Sequence, residues 1–253
     1  MVVVRTMLLT LLRGRLYIGM VTAGVMLVVV AILLQELSVG EGQRAFVAIG
    51  LAAHSLVTDV TAVAAAFTLA QAYLIGRGAI PLMARPVSRS WFVVAAVVAL
   101  SVATMVNGAL LGAMLAVVAG VYEASTGHVA LAAAVGTGEA LLLGALALAL
   151  RLRFAAVFSV TTVGALFLLG RLAEMLEQMI GRGTFGSAQS VLRAFHALLP
   201  KLELFDWTSV ALNGAIGNQN VLTPVIYLAL YGSSLTALAV ILHHRADLAG
   251  DSA

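Results

Sequence analysis

The chain carries six long apolar runs, and no other feature limits its fold as strongly. They cover residues 16–34, 46–75, 92–121, 129–150, 154–170 and 221–242. A helix needs about 20 apolar residues to cross the hydrocarbon core of a bilayer. The runs are apolar all round, as helices in lipid are, and lack the in–out alternation of barrel strands. Composition agrees: 62% of the 253 residues are hydrophobic, 10% are charged, and the mean hydropathy is +1.08. A soluble domain carries roughly 25% charged residues, so this chain has too little polar surface to coat a water-facing globule. The expected fold is an all-α integral membrane protein with six transmembrane helices in one domain, residues 1–253.

Charge placement predicts the orientation. Short cytoplasmic loops are enriched in Lys and Arg. One set of run ends carries Arg5, Arg13, Arg15, Arg77, Arg85, Arg89, Arg151, Arg153 and Arg245. The opposite set carries Arg44, Arg171, Arg182, Arg193 and Lys201 among Glu36, Glu41, Glu123, Glu174, Glu177, Glu203 and Asp206. The first set is expected in the cytoplasm, with both termini, in a multi-pass protein of the cytoplasmic membrane. The net charge is only +3, and the basic residues sit between apolar runs rather than on a phosphate-binding face, so no nucleic-acid partner is expected. The first run is too long for a signal h-region and no small-x-small site precedes Glu36, so it reads as an uncleaved first span.

Much familiar chemistry is missing. Cysteine is absent, which removes disulfides, thiolate metal sites and cysteine nucleophiles. A P-loop needs a lysine before Ser or Thr; Lys201 is the one lysine, and Leu202 follows it. Gly-x-Ser-Gly and His-Glu-x-x-His are also absent. His243 and His244 are adjacent, and adjacent residues on a helix point about 100° apart, too far to share a metal. No catalytic or metal-ligating constellation is read.

Two acids lie inside apolar runs, Asp59 and Glu139. An ionised carboxylate at mid-bilayer is costly, so such residues face the protein interior or water and can mark a pathway. No Lys or Arg stands at their depth in the sequence. Ser55 lies one turn from Asp59 on the same face, which Ala62 and Ala66 continue, whereas His54 points elsewhere. Ser55, Asp59 and Glu139 are candidate lining residues of a translocation path; the alternative is a buried carboxyl hydrogen-bonded to its neighbours. Gly108, Gly112, Ala116 and Gly120 form a small-residue stripe that lets another helix approach closely, and Gly136, Ala140 and Gly144 do the same. The far-side stretch 171–220 is too long for a plain turn. Within it Ala188, Val191, Leu192, Phe195, Leu198 and Leu199 share one helical face, and Pro200 ends the pattern, as in an amphipathic helix on the bilayer or capping the bundle.

The connection 76–91 is the most specific stretch. Gly78 permits a tight exit, Pro81 suits a first helical turn and Pro86 ends it. This leaves a short helix with Ile80, Leu82, Met83 and Val87 to bury, rimmed by Arg77, Arg85 and Arg89: exposed apolar residues among arginines suit a docking element. The string Arg77-Gly78-Ala79-Ile80-Pro81-Leu82-Met83-Ala84-Arg85-Pro86-Val87-Ser88-Arg89 resembles the cytoplasmic loop of permease subunits of ABC transporters of the type-2 exporter class. Three weaker stretches agree in order. Residues 5–17 resemble that family's amphipathic elbow, Gly50-Leu51-Ala52-Ala53-His54-Ser55-Leu56 the start of its second span, and Leu199-Pro200-Lys201-Leu202-Glu203-Leu204-Phe205-Asp206 a segment before its last span. The family usually has acids before the Arg-Gly pair, where this chain has Leu74, Ile75 and Gly76.

The resemblance implies an elbow helix at 1–15, a coupling helix within 76–91 seated in a separate ATP-binding subunit, and a second permease subunit, identical or different. ATP and magnesium would then belong to the partner ATPase, with no cofactor and no enzymatic site on this chain. Two other classes stay open: a proton- or ion-coupled carrier using Asp59 and Glu139, and a non-transporting membrane scaffold.

Overall fold

The computed structural model describes residues 2–37, 42–75, 88–172, 200–213 and 220–246. Those residues form helices and turns, with no strand among them. The helices are α1 (Val2–Leu12), α2 (Arg15–Leu37), α3 (Gly42–Leu69), α4 (Arg89–Val121), α5 (Thr126–Arg151), α6 (Ala156–Arg171), α7 (Thr208–Asn213) and α8 (Leu222–Ala246). A π-helical turn, Ala70–Leu74, extends α3, and a 3-10 turn, Leu202–Phe205, precedes α7.

Five stretches are long and apolar enough to cross a membrane: Arg15–Glu36, Gly42–Leu74, Ser90–Val121, Thr126–Arg151 and Leu222–His244. Their outward faces are apolar too, with Leu33, Met105, Val117, Leu230 and Ile241 exposed. Such a surface is consistent with an all-α membrane protein, since water would penalise it. The run at 154–170, expected as a sixth span, is different. Its helix α6 has 16 residues, about 24 Å at 1.5 Å per residue, against a hydrocarbon core of about 30 Å.

Helix α5 is the hub. It packs against α3, α4, α6, α8 and both short elements before α8, and Glu139, Ala140, Ala147 and Leu148 in its second half are fully buried. The small-residue stripe of α4 lies on it. A methyl group on Gly108 would collide with the Thr137 side chain, and one on Gly112 would come 2.9 Å from Ala133 Cβ.

The core has two parts, one towards each end of the bundle. One joins Met7 and Leu11 of α1 to Leu69 and Leu74, Phe92 and Val93, and Leu148 and Leu152. The other joins Phe46 and Leu51 to Leu115, Val129, Ala133, Trp207 and Val210. Arg13, Arg15, Arg151 and Arg153 flank helix ends of the first part, and Arg44 flanks the second. At the first end, α1 is tied to the π-helical turn by a 2.6 Å hydrogen bond between Thr10 Oγ1 and Tyr73 OH. There too, Ser90 Oγ at the start of α4 lies 2.8 Å from His244 Nε2 at the end of α8.

Candidate functional site

Residues 200–213 set up the site. Instead of running outside the helices, they insert among them. Leu202, Phe205, Trp207 and Val210 are buried, and two glycines make room. A methyl group on Gly170 would come 2.8 Å from Leu202, and one on Gly138 would come 2.7 Å from the Phe205 ring. Asp206 is thereby carried to the C-terminal end of α6, where Arg171 stands.

Arg171 gathers the polar groups of three other chain segments. Its Nε donates to Glu139 Oε1 at 3.0 Å and its Nη2 to Glu139 Oε2 at 2.6 Å. Nη2 also donates to Ser55 Oγ at 2.8 Å, and Nη1 donates to Asp206 Oδ2 at 3.1 Å. The guanidinium lies 5.7 Å from the Phe167 ring centre, within cation–π range. Ser55 donates in turn to Asp59 Oδ2 at 3.2 Å, so one hydroxyl ties a second carboxylate to the same cation. The second oxygen of Asp206 accepts the backbone N–H of Thr208 at 3.1 Å, an Asx-type turn that starts α7.

Burial is graded across the network. The side chain of Glu139 is 0% exposed, that of Arg171 29% and that of Asp206 47%. The Glu139 pair is a bidentate fork, the geometry that makes an Arg–carboxylate pair strong and directional. Asp59 is 5% exposed, and its Oδ1 has no hydrogen-bond partner among the described residues. A cleft of about 90 Å³, lined in part by His54, Ser55, Gly136, Asp206 and Thr208, opens beside Arg171. It has room for a few waters. A second, apolar groove lies between α3 and α6 and contains Asp59.

The sequence names Ser55, Asp59 and Glu139 as candidate lining residues; in the structure Ser55 and Glu139 both bond Arg171, and Asp59 joins them through Ser55. Sequence reasoning missed Arg171 and Asp206. In the sequence Arg171 stands as a flanking charge beyond a complete span, which leaves the acids with no cation at their depth. The correction follows from the length of α6: the helix ends after 16 residues, and the basic residue closing it lies within reach of mid-helix Glu139. The signal was present, since 154–170 is the shortest of the six runs and Gly170-Arg171 ends it. His54 points away from Asp59 and meets Gly108 O at 3.0 Å.

Of the expected coupling residues, Arg77, Gly78, Ile80, Pro81, Leu82, Met83, Arg85, Pro86 and Val87 lie outside the described residues. Ser88 precedes α4 as its N-cap and Arg89 opens that helix. The amphipathic stretch from Ser187 to Leu199 is likewise outside them. No group of three or more metal-ligating side chains occurs among the described residues. Comparison with protein-family models, with curated proteins and with solved structures finds no match for this chain.

Proposed function

We propose that the chain is the membrane-spanning permease subunit of an ABC transporter of the type-2 exporter class, powered by an ATPase on a separate chain. The observation that carries the reading is the string from Arg77 to Arg89, with three further stretches in matching order along the chain. The architecture is compatible with it. Helices α3 and α4, which flank that string, are both long enough to span. Their loop-side ends meet α1 and the end of α8. In this reading the run 154–170 is the fifth of six spans, both termini are cytoplasmic, and two permease subunits assemble with two ATPase subunits. Closure of the ATPases would be transmitted through residues 76–91.

Leu82→Asp tests the reading. Burying one large aliphatic side chain is worth roughly 1.5–3 kcal/mol, and an exposed arginine pair about 0–1 kcal/mol. Leu82→Asp is therefore expected to release the ATPase from a complex purified from native membranes, and Arg85→Ala to retain most of it. If Leu82→Asp keeps the ATPase and its substrate-stimulated hydrolysis at wild-type level, the loop is not the coupling element and the reading falls.

A second reading, a proton-coupled carrier, draws on one observation: the buried Asp59 oxygen without a hydrogen-bond partner among the described residues. Transport abolished by collapsing the proton gradient, and kept without ATP, would favour it.

A further inference from the structure

A groove of about 300 Å³ begins where α1 turns into α2 and runs between α2 and α3. Leu16 and Met20 of α2 form one wall, and Thr61, Ala64 and Thr68 of α3 form the other. The two helices are antiparallel: Gly42 stands beside Gln35, and Gly24 beside Val57. Arg15 and Thr68 therefore mark one end of the groove, and Met20 and Thr61 the other. The hydroxyls that line it are spent on backbone carbonyls. Thr61 Oγ1 donates to Val57 O at 2.6 Å, Thr68 Oγ1 to Ala64 O at 2.8 Å, and Tyr17 OH to Ala103 O at 3.1 Å. The walls thus offer hydrocarbon. From Thr68 to Thr61 the groove follows α3 for about 10 Å, against about 15 Å of hydrocarbon in one leaflet.

The outer end of the groove is basic, and nothing there answers the charge. Arg15 is the first residue of α2 and lines the groove at its mouth. Arg13 stands on the other side of the Gly14 turn. Both arginines are exposed, and neither forms an ion pair among the described residues. No acid occurs in residues 1–35 or in residues 60–75, so both walls are free of negative charge. A free anion would leave the groove empty. A zwitterionic lipid would bring a second cation beside Arg13 and Arg15. An anionic amphiphile satisfies both ends, with its charge at the mouth and its chain between the helices.

We infer that this groove holds one acyl chain of an anionic phospholipid from the leaflet at this end of the bundle, with the lipid phosphate on Arg15. A guanidinium presents paired N–H donors that match phosphate oxygens. The chain runs inwards from Arg15 towards Met20, the direction a lipid of that leaflet takes. The inference rests on the groove and its charge, and does not depend on what powers the protein.

The test is native mass spectrometry of the purified full chain in detergent, titrated with phosphatidylglycerol or phosphatidylcholine carrying the same oleoyl chains. The wild-type chain is expected to bind the first phosphatidylglycerol about fivefold more tightly, the scale of one arginine acting on an anionic lipid. Arg15→Gln should abolish that preference. Arg153→Gln, an exposed arginine at the same end of the bundle, should keep it. Ala64→Phe fills the groove and should weaken both lipids. Soluble glycerol 3-phosphate should not compete, because it has no chain to bury. Four results would each overturn the site: equal binding of the two lipids by the wild-type chain, equal losses in Arg15→Gln and Arg153→Gln, undiminished phosphatidylglycerol binding in Ala64→Phe, or full competition by glycerol 3-phosphate. If Ala64→Phe does not fold, the contrast between the two arginine variants decides alone. None of these outcomes bears on ATPase co-purification, so this site and the permease reading fail separately.

Discussion

Removing the guanidinium of Arg171 is the sharpest perturbation the structure offers. Arg171→Met keeps the length and apolar stem of the side chain and deletes four hydrogen bonds, two of them to a carboxylate that is 0% exposed. Breaking a buried pair by removing one partner costs about 3–5 kcal/mol, because the other charge is left uncompensated. The Asp206 contact adds little, since that side chain is 47% exposed and exposed pairs contribute about 0–1 kcal/mol. At about 2–4 °C per kcal/mol for a chain of this size, the melting temperature should fall by roughly 6–20 °C. Arg171→Lys should recover only part of this, because an ammonium cannot reproduce the fork to Glu139 while reaching Ser55 and Asp206. The double variant Arg171→Met with Glu139→Leu removes both charges, and apolar replacement of a buried pair is often near neutral. It should therefore melt well above Arg171→Met alone. Intrinsic fluorescence in detergent can follow the transition, since Trp207 is buried beside Asp206. Wild-type melting for Arg171→Met, or a double variant that loses the sum of the two single losses, would refute the idea that this pair locks α5 to α6.

Helix packing gives a contrast between two glycines. Gly108→Ala drives a methyl group into Thr137 and is expected to cost about 1–3 kcal/mol; Gly164→Ala meets open space and should hold or raise the melting temperature, so equal melting of the two would count against the close α4–α5 contact. For orientation, Ser88→Cys and Arg151→Cys are expected to react with a membrane-impermeant thiol reagent only in inside-out vesicles, and Ser187→Cys in intact cells. Labelling of Ser88→Cys in intact cells would reverse the assignment.

Apolar length carried most of the legible information. Six apolar runs read as spans, and five of them coincide with helices of 22–33 residues able to cross a membrane, because a helix long enough to cross lipid is set by a local count that needs no knowledge of neighbours. The close approach at Gly108 and Gly112 was legible for the same reason, since these glycines recur along one helix. What sequence did not reveal depends on depth and on distant partners. Glu139 and Arg171 are 32 positions apart, and nothing local says that α6 stops short and brings its terminal arginine to the level of a mid-helix acid. Gly138 and Gly170 lie off the stripes that periodicity picked out, and their use becomes visible only once Phe205 and Leu202 are seen packed against them. These two misses have one cause. Residues 200–213 enter the bundle, and to do so they need two small gaps in the helices and a partner for the carboxylate they carry inwards. Gly138 and Gly170 provide the gaps, and Arg171 provides the charge. Arg171 therefore serves the inserted segment and the buried acid at once, which is why its loss should unsettle both.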